Sequence, residues 1–256
     1  MFEAGLVQLV IVCPLVFIAG FVDATAGGGG LISLPAYFIA GFPAHQAIGT
    51  YKLSTTMGTA LTTFRFWRNG YIPSKVAAFC VLAALGGGTC GAKLTLLVSD
   101  VYLKVLMAIV LPIVAVYLVV GKGLSKDKEP FGLARTIATG MAVSFAIGVY
   151  DGFYGGGAGM FMILLFHGLG HMSLLQSNGT AKVANLATNV SSLVVFLGSG
   201  VVVIGFGLVA GLFGIAGNYV GSRMFDRDAA RIAKPIMLVV IAIFLVRVIG
   251  ELAALW

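Results

Sequence analysis

Ten apolar runs, separated by short polar or glycine-rich breaks, order the chain. They fall at 5–22, 31–41, 46–66, 74–98, 101–121, 136–150, 158–169, 178–197, 202–222 and 235–254. An α-helix needs about 20 apolar residues to cross a bilayer core, and most of the runs approach or reach that length. The second run of each five, 31–41 and 158–169, is short. Each follows a glycine run, Gly27–Gly30 or Gly155–Gly157, and glycine interrupts helices. The first two runs of each half are therefore either two full crossings or a broken, partly re-entrant hairpin. Both options return the chain to its starting side. The pattern predicts an all-α integral membrane protein of about eight to ten hydrophobic segments, including broken or re-entrant helices after the glycine runs.

Composition leaves little alternative. Hydrophobic residues make up 59% of the chain and charged residues 10%, with a mean hydropathy of +1.05. A soluble domain carries about 25% charged residues to cover its surface. Almost nothing remains for a domain outside the lipid bilayer. The N-terminal stretch MFEAGLVQLVIVC has no basic n-region and no small-residue cleavage site, so the first segment is expected to stay in the membrane. Cys13, Cys80 and Cys90 form no C-x-x-C and lie in apolar runs; they read as packing residues. The net charge of +7 serves to orient the chain, with no nucleic-acid partner implied.

The chain also repeats itself. Asp23 opens DATAGGGG and Asp151 opens DGFYGGGAG, 128 positions later. QAIGTYKL from Gln46 matches QSNGTAKV from Gln176 at an offset of 130. At that offset Gly49, Thr50 and Lys52 fall on Gly179, Thr180 and Lys182, and Gly70, Gly91 and Lys104 on Gly200, Gly221 and Lys234. The expected organisation is an N-terminal transmembrane repeat over 1–122, a cytoplasmic linker over 123–134 and a C-terminal transmembrane repeat over 135–256.

Lysine and arginine favour the cytoplasmic side. Eleven of the 16 sit in three stretches: Arg65, Arg68 and Lys75; Lys122, Lys126, Lys128 and Arg135; and Arg223, Arg227, Arg231 and Lys234. The loop RFWRNGYIPSK is basic, whereas its counterpart FLGSGVVVIG has no charge. Equivalent loops are thus expected on opposite faces, which makes the halves inverted-topology repeats with both termini outside. In that architecture the site lies near the midplane between the repeats.

Asp23, Asp151, Lys52 and Lys182 lie in or beside apolar runs, one of each per half. Charges at membrane depth are costly and face a partner or a wet cavity. One reading is an Asp–Lys pair within each half, tying the hairpin to the next helix. The other is that the lysines face a substrate path, each oriented by the Asp of its own half. Asn178, Lys182, Asn185 and Asn189 share one helical face, either as interhelical hydrogen-bond glue or as the lining of an aqueous path. The equivalent face, Ile48, Lys52, Thr55 and Thr59, is richer in hydroxyls.

The glycine runs precede short helices. A helix N-terminus attracts anions through free N–H groups, and broken membrane helices use such ends for anionic substrates; close helix packing is the plainer explanation. Gly28, Gly29, Gly156 and Gly157 join Thr50, Thr180, Gln46, Gln176, the two lysines and the three asparagines as candidate substrate-binding residues. This donor-rich set suits a small oxyanion better than a cation. Asp23 and Asp151 are candidates for proton coupling, since burial favours the neutral acid while a neighbouring lysine favours the anion. The alternative is a structural carboxylate capping the glycine-led helix. His167 and His171 stand four apart with no third ligand nearby, so no metal and no cofactor is expected. Tyr150–Asp151 resembles half of an intramembrane aspartyl protease signature, yet both aspartates precede their glycines and are repeat equivalents. An anion channel is the other alternative to a carrier.

At DATAGGGGLISLP, DGFYGGGAGMF, AIGTYKL and NGTAKVANLATN, the chain resembles the sulfite exporter TauE/SafE family, also called the toluenesulfonate uptake permease family, over almost its whole length. The resemblance implies a secondary carrier in the bacterial inner membrane, not an enzyme, for sulfite, a sulfonate or a related sulfur-containing anion. Protons are the coupling ion considered.

Overall fold

The computed structural model describes residues 5–120 and 129–223, with isolated positions between 239 and 250. Among the described residues there are nine helices and no strand: α1 (Leu6–Ala26), α2 (Gly30–Ile39), α3 (Ala44–Arg68), α4 (Ser74–Leu97), α5 (Asp100–Val120), α6 (Leu133–Phe153), α7 (Ala158–Gly168), α8 (Leu174–Gly198) and α9 (Ile204–Arg223). Each of the first nine apolar runs is a helix, with ends shifted by a few residues. The tenth run, 235–254, lies largely outside the described residues, as do Lys122, Lys126, Lys128, Arg227, Arg231 and Lys234.

Five of these helices, α1, α4, α6, α8 and α9, are long and apolar enough to cross a membrane. Leu6, Leu82, Leu97 and Leu212 stand exposed on their flanks, as suits side chains solvated by lipid. Helices α2 and α7, with 10 and 11 residues, reach only about 15–17 Å at 1.5 Å per residue, about half of a hydrocarbon core. Helix α3 buries Thr50, Lys52, Ser54, Thr59, Thr62 and Thr63. Such a helix must be wrapped by others, because unpaired polar groups in hydrocarbon are costly.

The two sequence halves interlock. Helix α4 packs on α6 and α8 of the other half, and its repeat equivalent α9 packs on α1 and α3. Glycine makes both approaches possible. A β-carbon added at Gly91 of α4 would collide with the Val149 carbonyl, and one at Gly152 of α6 with the Gly88 carbonyl. Across the equivalent interface, a β-carbon at Gly217 of α9 would strike the Phe17 carbonyl of α1. Small residues let membrane helices approach backbone to backbone, where dispersion replaces the missing hydrophobic drive.

At the centre α3 lies against α8. Gly49, near the start of α3, adjoins Val201 just past the end of α8, and Gly179, near the start of α8, adjoins Tyr71 just past the end of α3. The two repeat-equivalent helices therefore run antiparallel, and the loops at 69–73 and 198–203 sit at opposite ends of the pair.

Candidate functional site

Helices α1 and α2 form a hairpin, as do α6 and α7. Gly27, with φ of 72°, ends α1 in the left-handed region, and its N–H donates to the Asp23 carbonyl. Gly157, with φ of 81°, begins α7. L side chains rarely adopt such conformations, which explains glycine at both breaks. The two tips meet. A β-carbon at Gly27 would lie 2.9 Å from Gly159, and one at Gly30 would lie 2.7 Å from the Gly155 carbonyl oxygen and 2.8 Å from the Tyr51 hydroxyl. The Tyr51 hydroxyl itself donates to the Gly155 carbonyl at 3.3 Å.

Beside this junction stand the four buried charges. Lys52 Nζ is 2.9 Å from Asp151 Oδ1, with both side chains fully buried, and donates to Asn189 Oδ1 at 2.8 Å. Lys182 Nζ donates to Asp23 Oδ2 at 2.9 Å and to the Asp23 carbonyl oxygen. Pairing within each half is thus corrected: each lysine takes the aspartate of the other half. The reason is the interlock, which carries each hairpin tip past its own third helix to the opposite one. A capping role for the aspartates is corrected as well. Both belong to the last turns of α1 and α6, and no side chain caps α2 or α7.

The asparagine face is buried against protein throughout, with Asn178, Lys182, Asn185 and Asn189 at most 6% exposed, so it lines no open aqueous path in this conformation. Asn185 Nδ2 donates to Asp151 Oδ2 at 3.2 Å, and Asn189 Nδ2 to Asn185 Oδ1 at 3.2 Å. Asn178 Oδ1 and Thr180 Oγ1 are buried without a hydrogen-bond partner, a turn nearer the start of α8. Thr50 Oγ1 accepts from the Val203 N–H at 3.0 Å, helping to hold the entry to α9. Gln46 Oε1 is buried and unpartnered at the start of α3. Gln176 is exposed and closes a capping box with Ser173 at the start of α8. Gly29 is crowded by Ala19 and Asp23 and Gly156 by the Tyr154 ring, so close packing accounts for both; Gly28 completes the first break. His167 and His171 each direct Nδ1 to a main-chain carbonyl, of Met172 and Glu129 respectively.

Three contributors were missed from the sequence. Thr188 donates to Asp151 Oδ2; its position three residues past Asn185 was the available signal. Tyr51 bridges α3 to the opposite glycine break. Asn218 of α9 accepts from Thr62 Oγ1 at 2.7 Å and lies over Gly58.

A bundle of apolar helices broken at two glycine runs, with charges buried where the breaks meet, defines a multi-pass membrane transporter. The chain matches the sulfite exporter TauE/SafE family over residues 12–248 and belongs to that family. It is 33% identical over 235 residues to the "Probable membrane transporter protein ORF9" of a Sinorhizobium species, covering 92% of this chain and 90% of that protein. It is 28% identical to the "Probable membrane transporter protein YfcA" of Escherichia coli K12, covering 88% of this chain and 84% of that protein. A "Probable membrane transporter protein" of Haemophilus influenzae is 27% identical over 93% of this chain. No solved structure matches. The protein is accordingly a multi-pass bacterial membrane transporter.

Proposed function

We propose that the chain is a secondary carrier for a small oxyanion, with sulfite or a sulfonate as the first substrates to test, bound where the two helix breaks meet. The observation that carries this reading is the exchanged pair of buried ion pairs, Lys52–Asp151 and Lys182–Asp23, beside the junction of the broken helices. A lysine at depth is the strongest attraction the interior offers an anion. An aspartate on each lysine keeps the empty site neutral, so the anion enters by displacing a carboxylate rather than by filling a preformed cationic hole. The N–H groups opening α2 and α7 add partial positive charge at the same level. Each carboxylate faces a lysine rather than its fellow, which disfavours the shared-proton arrangement of an aspartyl protease.

Inverted repeats complete the reading. The antiparallel course of α3 and α8 supports a two-fold relation in the membrane plane, with repeats 1–122 and 135–256 rocking about the fixed junction. The test is uptake into proteoliposomes across sulfite, thiosulfate, sulfate, sulfoacetate, taurine and acetate. Saturable flux of one oxyanion, competed by its unlabelled form, is expected. An unsaturable, ohmic current in planar bilayers would instead make the protein a channel.

A further inference from the structure

The two buried ion pairs are repeat equivalents, but their surroundings are not. Asp151 is wholly buried. Its Oδ1 holds Lys52, and its Oδ2 accepts from Thr188 and from Asn185. Asp23 holds Lys182 through Oδ2 and its own main-chain carbonyl, and no protein donor reaches its Oδ1 among the described residues. Its side chain keeps 10% exposure and borders a cavity of about 20 Å³, room for roughly one water. Asp23, Ser33, Ser54, Thr55 and Asn218 line that chamber.

The sequence explains the difference. At the offset of 130, Thr188 corresponds to Gly58, Asn185 to Thr55 and Asn189 to Thr59. Gly58 has no hydroxyl to offer Asp23. Thr59 Oγ1 is buried without a partner, whereas its counterpart Asn189 accepts from Lys52. Both carboxylate oxygens of Asp151 therefore face protein groups, whereas Oδ1 of Asp23 faces none among the described residues.

We infer that Asp23, through its chamber, is the proton-exchange site of the carrier, and that Asp151–Lys52 is a fixed strut. This rests on the anion-carrier reading and adds its coupling. Two lysines and two aspartates cancel. A monovalent anion arriving at Lys182 would leave one uncompensated negative charge at depth, which is costly. A proton passing from the chamber water to Asp23 Oδ1 removes it. Lys182 remains an ammonium and shifts its pairing from the carboxylate to the anion. The proton leaves by the same chamber when the anion does, so each monovalent anion travels with one proton and no net charge crosses. Around Asp23, α8 contributes Lys182 and α3 contributes Tyr51 and, one position on, Lys52, which is engaged by Asp151. Helix α2 brings Gly30 and Ser33 to the chamber and α9 brings Gly214 and Asn218, none of them titratable. Where α7 meets the tip of α1 it presents Gly159, Met160 and Ile163, none of them titratable.

Infrared difference spectroscopy of the full-length protein in lipid nanodiscs tests this without any substrate. Between neutral and acid pH, the wild type should gain the carbonyl band of a buried carboxylic acid, sensitive to deuterium exchange. Asp23→Asn should lose that band, Asp23→Glu should shift it, and Asp151→Asn should keep it. If Asp151→Asn does not fold, the two Asp23 variants carry the assignment alone. Ser33→Val, which fills the chamber and leaves Asp23 in place, should slow deuterium exchange of the band at least tenfold. A band that survives in Asp23→Asn, a wild type without one, or exchange unchanged in Ser33→Val would each overturn the inference. A negative uptake screen would sink the carrier reading while leaving the infrared result intact, so the two failures are distinguishable.

Discussion

Lys52 and Asp151 approach to 2.9 Å across the boundary between the two sequence halves, both fully buried. Removing one member of such a pair leaves an unpaired charge in the interior, at about 3–5 kcal/mol, whereas replacing both is far milder. Lys52→Met or Asp151→Asn alone should therefore lower the thermal unfolding midpoint in detergent more than the double variant does. A double variant whose loss equals the sum of the single losses would mean that the pair does not couple the halves.

Transport should depend on both lysines. Lys182→Ala is expected to reduce oxyanion flux by more than tenfold with a near-normal unfolding midpoint, because its aspartate retains an open face. Lys52→Ala should lose flux and stability together. Lys→Arg at either position should rescue partly at most, since the planar guanidinium does not reproduce the compact ammonium geometry. Normal flux in a folded Lys52→Ala/Lys182→Ala variant would remove the lysines from the substrate path.

Much of this arrangement was legible in the chain. Apolar runs locate helices because hydrocarbon admits few other backbones, and the doubled Asp-plus-glycine motif marked both breaks. What the sequence did not disclose was partnership. Asp23 and Lys182 are 159 positions apart, and nothing in local spacing distinguishes that pairing from Asp23 with Lys52, which is far nearer in the chain. Only the crossing of the hairpins decides it. Gln176 shows a related limit: it is the repeat equivalent of Gln46, yet it closes a capping box with Ser173 three residues earlier.

Glycine at the α4–α6 interface should be intolerant of any side chain. A β-carbon at Gly91 would meet the backbone of Val149 and Phe153, which cannot yield as a flexible side chain would. Gly91→Ala should destabilise by about 1–3 kcal/mol, the usual cost of overpacking, and Gly91→Leu should abolish folding. Gly205→Ala, with nothing within 4 Å, is the matched control and should leave the midpoint unchanged. Thermal unfolding in detergent, followed by size-exclusion chromatography, reads both.

Labelling from the two sides of the membrane checks the inverted topology. Arg65 lies over the Tyr219 ring at 5.1 Å and Arg223 over the same ring at 4.3 Å, so the ends of α3 and α9 share one end of the bundle. That end gathers Arg65, Arg68 and Arg223, and basic residues favour the cytoplasm. The loop at 198–203 is uncharged and lies at the other end of the α3–α8 pair. With Cys13, Cys80 and Cys90 replaced, single cysteines at Asn69 and Ser199 should be modified from opposite sides by an impermeant maleimide in intact cells. Ser199→Cys should react from outside, and Asn69→Cys only after permeabilisation. Reaction of both from outside would exclude the inverted arrangement, because two repeat-equivalent loops would then share a face. Reaction of Asn69→Cys alone from outside would keep the inversion but reverse the orientation, placing this basic cluster outside against the charge rule.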